Sequence, residues 1–187
     1  MQNPIFWKTK LPFDEHYRNL LNASNFYEQY RMPFIHKGDK CNIISSFGNR
    51  KGSAAESELF EYLNTLYSML VNDFFERLCL KEHVRYTYYY WWQLYEPDTD
   101  GSKHPRHSHW ANDGTSWSFV HFIQTNNEYC FRFTGPYDEH DILVKETDDD
   151  VIFFHPMLLH EALQPTNGNR IVVAGNIRID DHDLERY

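Results

Sequence analysis

The sequence predicts an α+β protein, with helices gathered in its first part and a sandwich or barrel of short strands in its second. Three observations carry this. One long amphipathic run begins at Ser53; from Val84 onward, strand-like runs alternate with turn chemistry; and aromatic residues make up 17% of the chain, a share that suits a β-rich core.

Residues 13–30 read as one or two short helices with Leu20, Leu21 and Phe26 as anchors, and residues 41–47 as a first strand. Ser53-Ala54-Ala55-Glu56 has the capping-box form, in which each end satisfies an orphan backbone N–H of the other. Leu59, Phe60, Leu63, Leu66, Tyr67, Leu70, Val71, Phe74, Phe75 and Leu78 then recur at three- and four-residue steps, giving one broad apolar face over about seven turns. A helix of this kind covers one side of a sheet. Val84 to Tyr95 is a strand by composition. Further strands are expected at 116–124, 128–134, 141–146, 150–154, 158–163 and 170–179. Asp98-Thr99-Asp100-Gly101, Asn126-Asn127, Gly135-Pro136 and Thr166-Asn167-Gly168-Asn169 supply the turns. The Asp148-Asp149-Asp150 run reads as a solvated turn.

At 187 residues the chain is expected to be a single domain: 1–83 a helical support, 84–179 a β core and 180–187 a tail. The net charge of -9 argues against a nucleic-acid partner. Cys41, Cys79 and Cys130 are widely spaced, which fits a reducing compartment better than a disulfide framework. No segment reaches the length of a membrane span, and the first residues lack an apolar signal core. The expected setting is cytoplasmic.

The chemistry concentrates in histidines. His107-Ser108-His109 places two imidazoles at i and i+2 of an extended segment, hence on one face. His160 lies about fifty residues on, and Arg170 opens the next strand-like run. Each has a bland reading. A lone strand histidine is usually a surface or hydrogen-bonded core residue, and an arginine opening a strand usually sits in a surface ion pair. Together they suggest a three-ligand facial metal site with a planar fork for the carboxylate of a bidentate organic co-substrate. Imidazole suits iron, zinc, copper and nickel, so the ligands alone do not choose the metal. His104 stays open as an alternative to His107. Trp110, Trp117 and His121 are candidates for the substrate pocket, Trp110 and Trp117 as an aromatic wall.

Gln93-Leu94-Tyr95-Glu96-Pro97, His107-Ser108-His109, the strand around Phe119-Val120-His121, Asp149 to Phe154, Leu158-Leu159-His160 and Arg170-Ile171-Val172-Val173 together resemble the 2-oxoglutarate and Fe(II)-dependent dioxygenase superfamily. The nearest branch is the prolyl-hydroxylase-like one, with its small oxygenases of bacterial and phage type, and the likeness spans roughly residues 84–179. It implies a double-stranded β-helix (jelly-roll) core with the N-terminal helices packed on one sheet. It further implies Fe(II) on His107, His109 and His160, with O2 and 2-oxoglutarate as co-substrates. Arg170 would hold the far carboxylate of 2-oxoglutarate, and Tyr95 would face it. His109 stands where the superfamily usually has Asp or Glu. The implied reaction is hydroxylation of a C–H in a small-molecule or peptidyl substrate. Two alternatives stay open: a cupin-like three-histidine metalloenzyme that uses no 2-oxoglutarate, and a non-catalytic binding module.

The resemblance also sets an expectation for the backbone. His160 and Arg170 must both face the interior. In a direct hairpin this demands a three-residue loop, Thr166-Asn167-Gly168, with His160 opposite Ala174.

Overall fold

The computed structural model of the protein describes residues 6–31, 34–36, 39–79, 84–109, 114–135 and 141–180. Its strands are β1 (Phe6–Lys10), β2 (Phe34–His36), β3 (Asp39–Cys41), β4 (Ile44–Ser45), β5 (Arg85–Tyr95), β6 (His104–His107), β7 (Trp117–Gln124), β8 (Phe131–Phe133), β9 (Ile142–Leu143), β10 (Asp150–Phe154), β11 (His160–Ala162) and β12 (Arg170–Asp180). Its α-helices are α1 (Glu15–Asn22), α2 (Ser24–Tyr27) and α3 (Ala54–Arg77).

The strands form a six-stranded sheet in the order β1-β10-β7-β12-β5-β4 and a four-stranded sheet in the order β6-β11-β8-β9, with β2 and β3 as a separate ribbon. All of the pairings are antiparallel. This is the double-stranded β-helix, with two facing sheets and no closed barrel. The strand runs expected from 84 onward are found. The N-terminal part is more than a helical support, because β1 and β4 form the two edges of the main sheet. β1 escaped the sequence reading because Phe6–Lys10 shows no alternation strong enough to mark it.

The main sheet sorts its side chains by parity. On its outer face Trp92, Leu94, Phe119, Ile123, Val151, Phe153, Ile171, Val173 and Ile177 pack with Leu59, Phe60, Leu63, Tyr67, Leu70, Val71, Phe74 and Phe75 of α3. Between the sheets Tyr95, Val120, Phe122, Ile152, Phe154 and Val172 meet Phe131, Phe133 and Ala162. A β-strand alternates its side chains, so each strand serves both layers. Leu66 is half-buried and Leu78, past the last turn, is 39% exposed, so the apolar stripe is slightly narrower than its spacing suggested. Gly175 sits where the Phe119 ring crosses β12, and a Cβ there would lie 2.3 Å from that ring.

Ser53 does cap α3, its Oγ accepting from the Glu56 N–H at 3.2 Å. The reciprocal half of the box is different. The buried Glu56 carboxylate reaches past Ser53 to the N–H groups of Lys51 and Gly52 and accepts from the Tyr30 hydroxyl. The acidic run is also only partly a solvated turn. Asp149 adopts a positive φ of 68° in the turn, whereas Asp150 is buried at the start of β10 between Lys8 and Lys10.

Residues 160–174 do not form a hairpin. β11 lies in the four-stranded sheet and pairs with β6 and β8; β12 lies in the six-stranded sheet and pairs with β5 and β7. Thr166-Asn167-Gly168 is a bend in a crossover between sheets, held by Glu128, which accepts from the N–H groups of Thr166 and Asn167. The expected pairing of His160 with Ala174 is therefore replaced by His160 with His107. Arg170 still turns inward. Pro136 of one expected turn and residues 181–187 of the expected tail lie outside the described residues.

Candidate metal centre and co-substrate pocket

β11 and β6 bring His160 directly opposite His107, so their side chains leave the same face of the smaller sheet. His109, two residues past His107, follows on that face, its N–H held by the Pro156 carbonyl at 2.9 Å. The three imidazoles each offer a ring nitrogen within 4.8 Å of the other two. His109 Nε2 lies 3.2 Å from His107 Nε2. Two imidazoles bound at right angles to one ion at ~2.1 Å sit about 3.0 Å apart, close to this spacing.

Each ring is oriented from behind. Nδ1 of His107 meets the Pro105 carbonyl at 2.8 Å, and Nδ1 of His160 meets the Leu158 carbonyl at 2.9 Å. Nδ1 of His109 meets Asn176 Oδ1 at 2.6 Å, and Ser118 Oγ donates to that same oxygen. A carbonyl only accepts, so Nδ1 carries the proton and Nε2 of the neutral ring presents its lone pair. Burial, and then the neighbouring His107 and His109, hold the His160 pKa well below the ordinary histidine value. Burial likewise lowers that of His109, against the opposing bond to Asn176. Neutral rings with inward lone pairs repel one another unless a cation lies between them. The three-histidine cluster thus fits an iron site, and the same donors fit the other imidazole-preferring metals.

Arg170 lines the same cavity, as do Trp91, Gln93, Tyr95, His104, Phe119, Val120, Phe131, Phe154, Ala162, Val172 and Ala174. It is 1% exposed and pairs in register with Tyr95 across β12 and β5. Its guanidinium stands 5.1 Å from the Tyr95 ring centroid and 5.6 Å from that of Phe122. Burial opposes its charge, but the Glu146 carboxylate, together with Tyr95 and Cys130, outweighs burial and raises its pKa. Nε donates to Glu146 Oε2 at 2.9 Å. Both terminal nitrogens, Nη1 and Nη2, are buried with no hydrogen-bond partner among the described residues. A buried guanidinium with two unfilled donors is costly, and it matches the geometry of an incoming carboxylate. Tyr95 is buried too. Its hydroxyl donates to Gln93 Oε1 at 2.9 Å, and burial pushes its pKa up to about 12, so it is a neutral phenol.

The structure brings His107, His109, His160, Arg170 and Tyr95 into one cavity. Two of the residues expected in the substrate pocket lie elsewhere. His121 is on the helix-facing side of β7, its Nδ1 bonded to the Tyr67 hydroxyl and its Nε2 to the Leu11 carbonyl. Trp117, on the same side, packs edge-on against Phe74. Both alternate with Val120 and Phe122, whose side chains pack between the two sheets. Trp110 lies outside the described residues. The aromatic side chains beside the three histidines are Trp91, whose ring lies nearly parallel to that of His109, and Phe131 and Phe154, which pack on His160. His104 lines the cavity but is not part of the three-histidine group. Sequence reasoning missed Glu146, Asn176 and Trp91. The alternation of β5 would have found Trp91, since Tyr95 and Trp91 share a face. Nothing local marks Glu146.

No protein-family model matches the sequence, and no curated protein does. Solved structures do. Over 97% of this chain and 87% of the other, the fold matches a prolyl hydroxylase from Trichoplax adhaerens in complex with a hypoxia inducible factor oxygen degradation domain peptide, at 15% identity and a TM-score of 0.64. A Pseudomonas putida prolyl-4-hydroxylase matches over 93% and 92% of the two chains, at 15% identity and a TM-score of 0.57. A viral collagen prolyl hydroxylase from Paramecium Bursaria Chlorella virus-1, solved with 2OG, matches over 92% and 95%, at 14% identity and a TM-score of 0.51. The chain has the double-stranded β-helix fold of these oxygenases, and within it carries a three-histidine cluster that fits an iron site.

Proposed function

We propose that the protein is a non-haem Fe(II) and 2-oxoglutarate-dependent dioxygenase that hydroxylates a C–H of a small-molecule or peptidyl substrate. The observation that carries the reading is the unfilled Nη1/Nη2 fork of Arg170, buried in the cavity that holds the three imidazoles. Iron with 2-oxoglutarate and O2 supplies oxidising power, 2-oxoglutarate being decarboxylated to succinate. His107, His109 and His160 hold the metal through Nε2, their backbone and Asn176 acceptors fixing each ring. Arg170 holds the far carboxylate, with Tyr95 and Phe122 walling its guanidinium. Phe131 and Phe154 keep the floor apolar and exclude water.

A metalloenzyme that used no 2-oxoglutarate would leave the Arg170 fork without a task. A peptidyl substrate has support from the Trichoplax protein, which is solved with a peptide. Among the described residues no helix is long and apolar enough to cross a membrane, and Cys41, Cys79 and Cys130 are free thiols, which suits a reducing, cytoplasmic setting.

The test is succinate formation from 2-oxoglutarate with Fe(II) and ascorbate, alongside binding of 2-oxoglutarate to the metal-loaded protein. Arg170→Ala should weaken 2-oxoglutarate by about 10²-fold or more, since loss of a buried charged pair typically costs about 2–5 kcal/mol. Metal content should hold. Equal affinity in variant and wild type would favour the cupin-like alternative.

A further inference from the structure

Arg170 does not face its pocket alone. The Glu146 side chain is fully buried, three residues beyond β9. Its two oxygens are divided. One accepts the backbone N–H of Phe131, the residue that opens β8, and the other accepts Nε of Arg170. The first bond ties the carboxylate to the smaller sheet, and the second ties the guanidinium to the carboxylate. Only the Nε edge of the guanidinium is taken, and Nη1 and Nη2 have no partner among the described residues.

A neutral amide could accept from Nε but not from Nε and the Phe131 N–H at once; the carboxylate serves both, and its charge has a further consequence. The ion pair cancels the arginine's charge inside a site that water does not screen. An incoming carboxylate meets the fork of Arg170 but also feels the Glu146 carboxylate across the guanidinium plane. The two effects oppose. The fork supplies direction and donors, and the second carboxylate limits how strongly the pocket draws an anion. Arg170 is the only non-histidine cation among the described residues lining the cavity, so this compensation acts on the whole pocket.

We propose that Glu146 is a positioning residue that aims the Nη1/Nη2 fork of Arg170 into the cavity and, by offsetting its charge, sets how far the pocket prefers a dicarboxylate keto acid over a monocarboxylate one. This rests on the 2-oxoglutarate reading above.

The test uses the full chain loaded with Zn(II), which binds keto acids without turnover. Calorimetric titration compares 2-oxoglutarate with 2-oxovalerate, which has the same chain length and a methyl in place of the far carboxylate. A wild type that binds neither, or both equally, counts against the 2-oxoglutarate reading itself. Given a wild-type preference, Glu146→Gln removes the charge and keeps one oxygen, enough for Nε but not also for the Phe131 N–H, and so also lowers the melting temperature. It should raise the preference for 2-oxoglutarate about tenfold or more, because the buried repulsion is gone. Glu146→Asp keeps the charge but shortens the arm by one methylene and withdraws the acceptor from Nε. It should lower the preference about tenfold, as the fork loses its aim. A purely structural role predicts lower melting temperatures with the preference unchanged, and that result overturns the proposal, as does a shift opposite to either stated direction. If one variant does not fold, the other decides alone.

Discussion

The two faces of the six-stranded sheet both bury histidine-bearing surroundings, and they treat the ring in opposite ways. On the helix side His121 is fully buried, and both of its nitrogens are satisfied, by the Tyr67 hydroxyl and the Leu11 carbonyl. On the pocket side, His109 and His160 are nearly as buried, yet only Nδ1 of each is bonded to a fixed acceptor, and the Nε2 edges converge. Burial and a lowered pKa are common to both, so neither marks a ligand. What differs is the unfilled coordination. The same contrast separates Arg170, with two nitrogens that have no partner among the described residues, from Asp150, whose carboxylate is ringed by Lys8, Lys10 and Thr147. A site shows itself as polar groups that the fold orients but does not complete.

The comparison breaks most sharply on metal. His160→Ala should abolish retention of Fe(II), whereas His121→Ala should leave metal content unchanged and instead destabilise the fold by about 2–4 kcal/mol, since it opens a cavity and strands the Tyr67 hydroxyl. Elemental analysis after gel filtration, with urea melts, reads both. A metal-replete His160→Ala would end the ligand assignment.

Next in size is pH. Burial pushes the His121 pKa down to about 4, from an unfolded value near 6.5. Between those values the unfolded chain binds a proton that the folded protein refuses. The stability is therefore full above about pH 6.5, falls as pH drops through the window, and levels off below about pH 4, a loss of about 3 kcal/mol from this ring. His109 and His160, also lowered, add loss in the same direction in the metal-free protein. His121→Gln should be less stable at neutral pH but have a shallower acid slope, measured by urea unfolding of metal-free protein across the window. Parallel slopes in variant and wild type would show that His121 is not held neutral.

The smallest effect sharpens the helix side alone. Ser53→Ala removes the acceptor for the Glu56 N–H and should cost about 1 kcal/mol in thermal or urea unfolding. Metal content and keto-acid affinity should stay unchanged, because α3 touches the sheet only through its outer face. A change in either would mean that the two faces are coupled through β12.

Much of this was legible in the sequence because it is local. Alternation within a strand fixes which residues share a face, so Val84 to Tyr95 and 170–179 could be read from composition and period. The spacing of α3 gave its buried stripe, and His107-Ser108-His109 gave two imidazoles on one side. Arg170 turned inward as expected, but for a different reason from the expected one. The expected hairpin between His160 and Arg170 is a crossover between sheets: His107, not Ala174, lies opposite His160, and Tyr95 of β5 lies opposite Arg170.

By itself, then, the sequence determined the α-then-β order, which residues of a strand share a face, and the choice of three histidines and an arginine that the fold gathers in one cavity. Tertiary structure alone decided that His160 lies opposite His107, that His121 faces α3 instead of the pocket, that Asn176 orients His109, and that Glu146 holds Arg170. The physical reason is range. Periodicity acts over a few residues, whereas strand pairing and buried charge compensation join residues tens of positions apart, and no local pattern records which distant partner fills or leaves empty a buried bond.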